Sequence, residues 1–218
     1  MLFIKRLVKI ASNQFITHVL NKKNRTIYGL NNVLKINGNI SNIKINIFGD
    51  NNTIEVNSTS LISNCLFYIK GNNNIVKIEK DVVIYGGELW IEDNMCKIVI
   101  GEGTTIQKAH IAAVEDRSSI VLGKDCMIST DVEMRTSDSH SIVDNNTNIR
   151  LNQPRNIVLK NHVWIGSRVS ILKGVTIGQR SIVGTGSIVL KDVPDNCLVA
   201  GIPARVIKKD VNWLRERI

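Results

Sequence analysis

The chain has 218 residues, of which 43% are hydrophobic and 22% are charged, a length and balance typical of one folded domain. Its net charge is +9, and residues 1–25 carry six Lys and Arg side chains without an acidic residue. No recognised nucleic-acid-binding motif accompanies this charge, and no apolar run approaches the ~20 residues that span a bilayer. Nucleic-acid binding and a membrane-spanning segment are therefore both disfavoured.

The cysteines indicate a reducing compartment. They stand far apart, form no CxxC pair, and are Cys65, Cys96, Cys126 and Cys197. Disulfides and a zinc site are disfavoured, so we expect no metal. Because Lys5, Arg6 and Lys9 interrupt any signal-peptide core, we expect a cytoplasmic location.

The first predicted element is an amphipathic helix over residues 2–20. Its apolar stripe follows spacings of three and four and consists of Ile4, Val8, Ala11, Phe15 and Val19. One interpretation is a helical cap, residues 1–25, over the open end of the repeats that follow. Another is peripheral contact of this basic segment with the inner face of a membrane, and its charge also suits an acidic polymer.

From residue 27 onward a pattern recurs with a period of 22. The regular copies are IFGDNNTIEV at 47–56, IKGNNNIVKI at 69–78, IEDNMCKIVI at 91–100 and AVEDRSSIVL at 113–122. Each places apolar residues around a Gly, Asn or Asp corner, where residues that tolerate left-handed backbone angles are needed. The pattern predicts one coil per repeat, with one widened corner, and inward pairs such as Ile54 with Val56 and Ile75 with Ile78.

A polar segment from Arg135 to Asn156 interrupts the repeats. Pro154 and the asparagines disfavour regular strand there. A loop of this length (135–156) in a tight coil is usually functional, so we expect the chemistry in it. Its His140 is the candidate catalytic residue, because imidazole titrates near pH 7 and can move a proton there. Asp138 or Asp144 could orient the ring, or could equally close an Asx turn in the loop.

The stretch from Trp164 to Pro203 can be cut into sixes: IGSRVS, ILKGVT, IGQRSI, VGTGSI and VLKDVP. A period of six is that of a parallel β-solenoid, in which the first position and the small fifth position of each unit face inward. Cys126 falls at a fifth position and is expected in the core. The sequence therefore predicts one all-β solenoid over residues 26–204. A tail, 205–218, would end in a short capping helix formed by VNWLRERI.

The segments VWIGSRVSILKGVTIG, VGTGSIVLKDVPDN and AGIPARVI, with SDSH upstream, resemble the left-handed β-helix hexapeptide-repeat acyltransferases. Within them, sugar and capsular polysaccharide O-acetyltransferases are the most similar, over residues 120–208. The left hand of the coil follows from this resemblance alone, because the general rule for parallel crossovers is right-handed. The resemblance implies acetyl-CoA as co-substrate, a homotrimer with active sites between subunits, and a His base upstream of Trp164, at His140.

Further site residues are implied by the same resemblance. Trp164 would face outward and contact the pantetheine arm or the acceptor, and its indole N–H could donate to an oxyanion. The remaining coenzyme contacts would be Ser167 and Thr185 to pantetheine amides, and Lys191, Arg205 and Lys208 to phosphates. Leu190 departs from the pattern, because relatives often have Thr there. His110 takes an acceptor-side position, unless it is simply a partly buried histidine at a corner; Asp138 and Asp144 could also contact the acceptor.

We therefore predict an O-acetyltransferase that moves acetyl from acetyl-CoA to a carbohydrate hydroxyl of a bacterial surface polysaccharide, by direct transfer. The positive charge favours an acidic glycan such as a sialic-acid polymer. The alternatives are an acetyltransferase of a small xenobiotic such as an antibiotic, and a non-catalytic binding solenoid. A zinc carbonic anhydrase on the same solenoid needs three converging histidines, two of them close in sequence, and no two histidines here lie within twenty residues.

Overall fold

The structure is a computed structural model that describes residues 24–218. Over this range the chain forms 24 short strands and no helix, and strands of successive turns pair in three sheets. Residues 24–218 contain no helix long and apolar enough to cross a membrane. The helix predicted over residues 2–20 and its cap or membrane role lie outside the described residues.

Each sheet forms one side of the coil, and its strands pair in the order of the successive turns. The first sheet contains β1 (Arg25–Tyr28), β4 (Lys44–Phe48), β7 (Cys65–Lys70), β10 (Gly87–Glu92), β13 (Ala109–Val114), β16 (Val132–Arg135), β19 (Ser170–Ile171) and β22 (Ile188–Val189). The second contains β2 (Val33–Ile36), β5 (Thr53–Val56), β8 (Ile75–Ile78), β11 (Lys97–Ile100), β14 (Ser119–Leu122), β17 (Ile157–Leu159) and β20 (Thr176–Ile177). The third contains β3 (Asn39–Ser41), β6 (Leu61–Ser63), β9 (Val83–Ile84), β12 (Thr105–Ile106), β15 (Met127–Ile128), β18 (Trp164–Ile165), β21 (Ile182–Val183), β23 (Cys197–Gly201) and β24 (Ala204–Lys209).

The register of the first sheet shows how the turn length changes along the coil. In the early part of the coil, Cys65 of β7 pairs with Gly87 of β10, so one turn has the length of the long repeat. In the late part, Ser170 of β19 pairs with Ile188 of β22, so one turn has the length of three hexads. The named strands pair in parallel, except that β24 pairs with β23 in the antiparallel direction. The turn between Glu133 and its partner Ser170 is the longest of the three, because it contains the loop. The predicted solenoid, with longer coils before the hexads, is confirmed.

The widened corner of each longer turn lies between the first and second sheets. There Gly49 and Gly71 both have φ of 133°, and Asn51 and Asn73 have φ of 58° and 59°, in the left-handed region that Gly and Asn tolerate. Inside the corner, the fully buried Asn74 accepts a hydrogen bond from the Cys96 amide and donates one to the Asp93 carbonyl. The corners therefore stack through side-chain amides as well as backbone.

The interior is a continuous aliphatic stack. The first and fifth positions of the five hexads are all buried, and they are Ile165, Val169, Ile171, Val175, Ile177, Ser181, Val183, Ser187, Val189 and Val193. Cys126 is also buried, as expected. The prediction that Ile75 faces inward is wrong, because Ile75 is 40% exposed. Its neighbour Val76 is buried and faces inward with Ile78. Strand residues alternate between faces, so an inward Ile78 requires Val76 to share its face.

The prediction of a short C-terminal helix is wrong. β24 still belongs to the third sheet, and residues 210–218 are irregular. Trp213 is buried, donates its indole N–H to the His162 carbonyl at 2.8 Å, and stacks on the His162 ring at 4.0 Å. Arg215 pairs with Asp125 at 2.8 Å. A helix of this length is marginal by itself, so these contacts with the coil decide the conformation.

Candidate active site

Residues 136–156 leave the coil between β16 of the first sheet and β17 of the second. Their outer part is a small hairpin, in which Val143 and Arg150 form an antiparallel bridge. The Leu151 amide donates to the Ile142 carbonyl at 2.7 Å, and the Asp144 amide to the Ile149 carbonyl at 2.9 Å. The loop therefore has hydrogen-bonded structure of its own, although neither limb joins a sheet.

An ion pair holds the loop to the preceding turn. Arg150 donates two parallel hydrogen bonds of 2.6 Å to the carboxylate of Glu115, the bidentate geometry in which guanidinium binds carboxylate most strongly. The Ser137 hydroxyl donates to the same carboxylate. Arg150 holds the pKa of Glu115 below its ordinary value. Sequence inspection missed this pair, because its members are far apart along the chain.

His140 lies at the start of the hairpin with its side chain exposed. Its amide donates to the Asp138 carbonyl at 2.8 Å, and its carbonyl accepts a hydrogen bond of 2.8 Å from the Asn152 side chain. Within residues 24–218 of one chain, its imidazole has no hydrogen-bond partner. Both ring nitrogens are therefore available to a substrate or to a second chain.

The two aspartates near His140 have other partners. Asp138 accepts hydrogen bonds from the Lys173 ammonium and from Asn152, and the Lys173 ammonium lowers its pKa. Asp144 accepts from the Thr147 amide at 2.8 Å and from the Asn146 amide at 3.0 Å, which is an Asx turn. Among residues 24–218, neither carboxylate hydrogen-bonds to the His140 ring.

Trp164 lies on the third sheet, facing outward with 38% of its surface exposed. The centroid of the Trp213 ring is 6.2 Å from that of Trp164. The coil has three sides, so the third sheet, with Trp164, lies opposite the corner between the first and second sheets. The loop with His140 leaves the coil at that corner. One chain therefore does not bring Trp164 and His140 together.

Ser167 and Thr185 follow successive third-sheet strands, at the corner that leads to the first sheet. The Ser167 hydroxyl hydrogen-bonds to that of Ser129 at 2.7 Å, and the Ser167 carbonyl accepts from the Gly186 amide at 2.8 Å. A Cβ at Gly166 would lie 2.7 Å from the Thr185 amide nitrogen, so this corner requires glycine. The two hydroxyl side chains therefore line one edge of the coil, as a ligand extended along the coil needs.

A cavity of about 260 Å³ at the C-terminal end brings Lys191 and Arg205 together. Asp192 also lines it, but its carboxylate accepts a hydrogen bond from the Thr176 amide. Lys208 lies on β24 and pairs with Leu198 of β23. It is exposed and is not among the residues that line this cavity. Two of the three predicted phosphate contacts therefore converge. Leu190, beside them, is 49% exposed and offers no hydroxyl.

His110 lies on an outward-facing row of β13 rather than at a corner. Its Nδ1 is 3.1 Å from Glu88, one turn earlier, and both line a cavity of about 590 Å³ with Lys44, Lys108 and Glu133. Among the described residues, the buried Nε2 of His110 has no hydrogen-bond partner. Glu88 was missed in the sequence, although it precedes His110 by one full repeat.

Arg135 connects this cavity with the loop. It stands two residues after Glu133 on the same strand, and its guanidinium lies 3.4 Å from the Glu133 carboxylate. Another nitrogen of the guanidinium donates to the Ser139 hydroxyl at 3.3 Å, next to His140. Sequence inspection did not single out Arg135.

The four cysteines are buried free thiols. Burial raises the pKa of Cys65 to about 12 and that of Cys126 to about 11. Burial also raises the pKa of Cys96. A buried thiol with a raised pKa supplies little thiolate, so these three do not suit nucleophilic catalysis.

Comparison with known proteins places this architecture in a class. Residues 156–191 match the family model described as bacterial transferase hexapeptide (six repeats). A polysialic acid O-acetyltransferase from Escherichia coli O1:K1 / APEC is 42% identical over 94 residues, which are 43% of this chain and 31% of that protein. The chain thus spans less than a third of this curated relative.

Two solved structures match along almost the entire coil. The polySia specific acetyltransferase NeuO is 34% identical with a TM-score of 0.80, over 89% of this chain and 91% of that one. The polysialic acid O-acetyltransferase OatWY is 30% identical with a TM-score of 0.85, over 89% of this chain and 92% of that one. The chain belongs to the hexapeptide-repeat acyltransferases, and its solenoid is the left-handed β-helix of that family.

Proposed function

We propose that this protein transfers the acetyl group of acetyl-CoA to a hydroxyl of a carbohydrate, with His140 as general base. The similarity to NeuO and OatWY over most of the chain supports an O-acetyltransferase. The observation that carries the assignment of the base is the exposed imidazole of His140, presented on a hydrogen-bonded loop with no partner among the described residues.

The transfer is direct. As the acceptor oxygen bonds to the thioester carbonyl carbon, its proton passes to a ring nitrogen of His140. When the tetrahedral intermediate collapses, the C–S bond breaks and the imidazolium returns that proton to the CoA thiolate. The indole N–H of Trp164 is a donor of the kind that stabilises the oxyanion. The raised thiol pKa values make an acyl-cysteine intermediate a poor alternative.

The active site is formed between copies of the chain in a homotrimer. His140 and Trp164 lie on opposite sides of one coil, so they can meet only across an interface. In this arrangement the loop of one copy reaches the third sheet of the next. Ser167 and Thr185 on that copy would contact the pantetheine arm, and Lys191 and Arg205 would contact the phosphates.

The acceptor is an acidic glycan, and a sialic-acid polymer is the first to test. Relatives named as polysialic acid O-acetyltransferases and the net charge of +9 support this choice. The cavity at His110 is the acceptor site in this proposal; its lining includes the cations Lys44 and Lys108 together with the carboxylates of Glu88, Asp131 and Glu133. Arg135 would then stand between the bound acceptor and the loop.

The test measures thiol release from acetyl-CoA with polysialic acid, with a neutral polysaccharide and with no acceptor, together with acetyl content of the glycan by mass spectrometry. We expect release only with the acidic polymer. His140→Ala should lower the rate about 10²–10⁴-fold without changing the melting temperature, the usual contribution of general acid–base catalysis. Near-wild-type turnover of this variant would contradict His140 as the base, and acetylation of the neutral polymer alone would contradict the acceptor class.

A further inference from the structure

We propose that Asn152 is a positioning residue for His140, acting through a brace that consists of Asn152, Asp138 and Lys173. The inference rests on the proposed function, in which His140 removes the acceptor proton. It assigns a role in catalysis to a side chain that contacts neither the imidazole nor the expected substrate.

Asn152 connects the two limbs of the loop. It is 8% exposed, and its side-chain nitrogen donates to the His140 carbonyl at 2.8 Å and to Asp138 Oδ2 at 2.7 Å. Its side-chain oxygen accepts from the Ile142 amide at 2.7 Å. A single carboxamide therefore holds three alternate residues of the limb that carries His140, and both of its amide hydrogens are used.

Lys173 attaches this arrangement to the rigid coil. It follows β19 in the next turn, and its ammonium donates to the Asp138 carboxylate and, at 3.0 Å, to the backbone carbonyl of Asn152. The Lys173 side chain is 18% exposed and that of Asp138 is 45% exposed, so the cation of this pair is largely shielded from solvent while the carboxylate is partly open to it. The lowered pKa of Asp138, caused first by Lys173, agrees with a carboxylate held by its cation.

The position of His140 depends on this brace because its ring has no hydrogen bond to a described residue of its own chain. The backbone of residues 138–142 must then set where the imidazole stands. General-base catalysis needs a heavy-atom separation of about 2.6–3.2 Å, and misplacement by about 1 Å can lower a rate on the order of 10²-fold. Only a side chain with two donors can bind the His140 carbonyl and Asp138 together.

The first experiment compares Asn152→Ala with Asn146→Ala, using acetyl-CoA and polysialic acid. Asn146 lies in the same loop, but only its backbone amide takes part in the Asx turn. We expect Asn152→Ala to lower kcat about 10–100-fold, by displacing the base, with the KM for acetyl-CoA little changed and the coil still folded. Asn146→Ala should retain wild-type kcat. Wild-type kcat in the Asn152 variant would overturn the proposal.

The second experiment separates positioning from general support of the fold. If Asn152 acts only through His140, His140→Ala and the double variant His140→Ala/Asn152→Ala should have equal residual rates. A further loss in the double variant would mean that Asn152 acts elsewhere, and would overturn the proposal. If Asn152→Ala fails to fold, Lys173→Met provides the same comparison from the other end of the brace. A fully active His140→Ala variant would show that the proposed base is wrong. An inactive His140→Ala variant together with a fully active Asn152→Ala variant would leave the base in place and overturn only the positioning role of Asn152.

Discussion

Glu115 is the residue through which the preceding turn holds the loop. Its carboxylate binds Arg150 through two hydrogen bonds, and the two side chains are 21% and 23% exposed. Partial burial reduces solvent screening, and the bidentate geometry leaves little freedom to either side chain. This pair therefore contributes more to loop stability than the exposed pair Lys108–Asp131, in which both side chains are more than half exposed.

We expect Glu115→Gln to lower the melting temperature at pH 7 and to lose this effect in acid. The folded-state pKa of Glu115 lies below its ordinary value of about 4.3, chiefly because of Arg150. Stability from a group with a depressed pKa is present above the unfolded pKa and is lost as the pH falls through the folded pKa. The difference in melting temperature between wild type and variant should thus be largest at pH 7 and should shrink below about pH 4.

A matched control is Glu133→Gln, because Glu133 is 43% exposed and reaches Arg135 only at 3.4 Å. Its melting temperature should follow that of the wild type across the titration. A constant difference between wild type and Glu115→Gln from pH 7 to pH 3 would contradict the role of the ion pair.

The corners are the elements that decide the length of each turn. Eleven positions separate Leu89 on the first sheet from Ile100 on the second, against six from Ile171 to Ile177. The added residues adopt left-handed backbone angles and place glycine where turns come closest. A Cβ on Gly71 would lie 1.9 Å from the Asp93 carbonyl oxygen of the next turn, a clash that the stacked backbone cannot relieve.

We expect Gly71→Ala to destabilise the coil severely and Gly186→Ala only mildly. Both glycines have positive φ, 133° and 73°, but a Cβ on Gly186 would meet nothing within 4 Å. The left-handed backbone alone costs about 1–2 kcal/mol for alanine, whereas the clash at Gly71 should place its loss on the order of 4 kcal/mol or more. Urea midpoints of the two variants measure this, and equal midpoints would show that turn stacking does not limit the corner.

For the whole molecule, the three-sided coil separates the two residues expected at the chemistry. The loop with His140 leaves between the first and second sheets, and Trp164 lies on the third. Most soluble homo-oligomers have closed symmetry, so each copy of a trimer would present its loop to one neighbour and its third sheet to the other.

We expect two inactive variants to complement each other in mixed trimers. His140→Ala retains Trp164, and Trp164→Ala retains His140, so an interface between the two variants can hold one intact site. Random assembly from equal amounts should restore about a quarter of the wild-type sites. The measurement is acetyl transfer to polysialic acid by co-expressed chains, compared with mixtures of separately assembled variants. Activity of the co-expressed sample no greater than the sum of the two variants would mean that each site lies within one chain.

The sequence by itself determined the repeating architecture, because the periodicity of a solenoid is also the periodicity of its sequence. Ile165, Ile171 and Ile177 face inward at a spacing of six, and each unit contacts mainly its neighbours, so local pattern and tertiary position agree. Family membership followed from the hexad motifs and is confirmed by the comparisons. The loop and His140 also stood out in the sequence, as the segment where that period stops.

Tertiary structure decided whatever depends on residues from different turns or different sides of the coil. Glu115 meets Arg150, and Lys173 meets Asp138, from different turns, so no local pattern relates them. The C-terminal segment illustrates the same limit: its composition suited a helix, but burial of Trp213 against His162 holds it in an irregular conformation. Side-chain partners depend on which turns stack and which corner carries the loop, and only the folded coil specifies both.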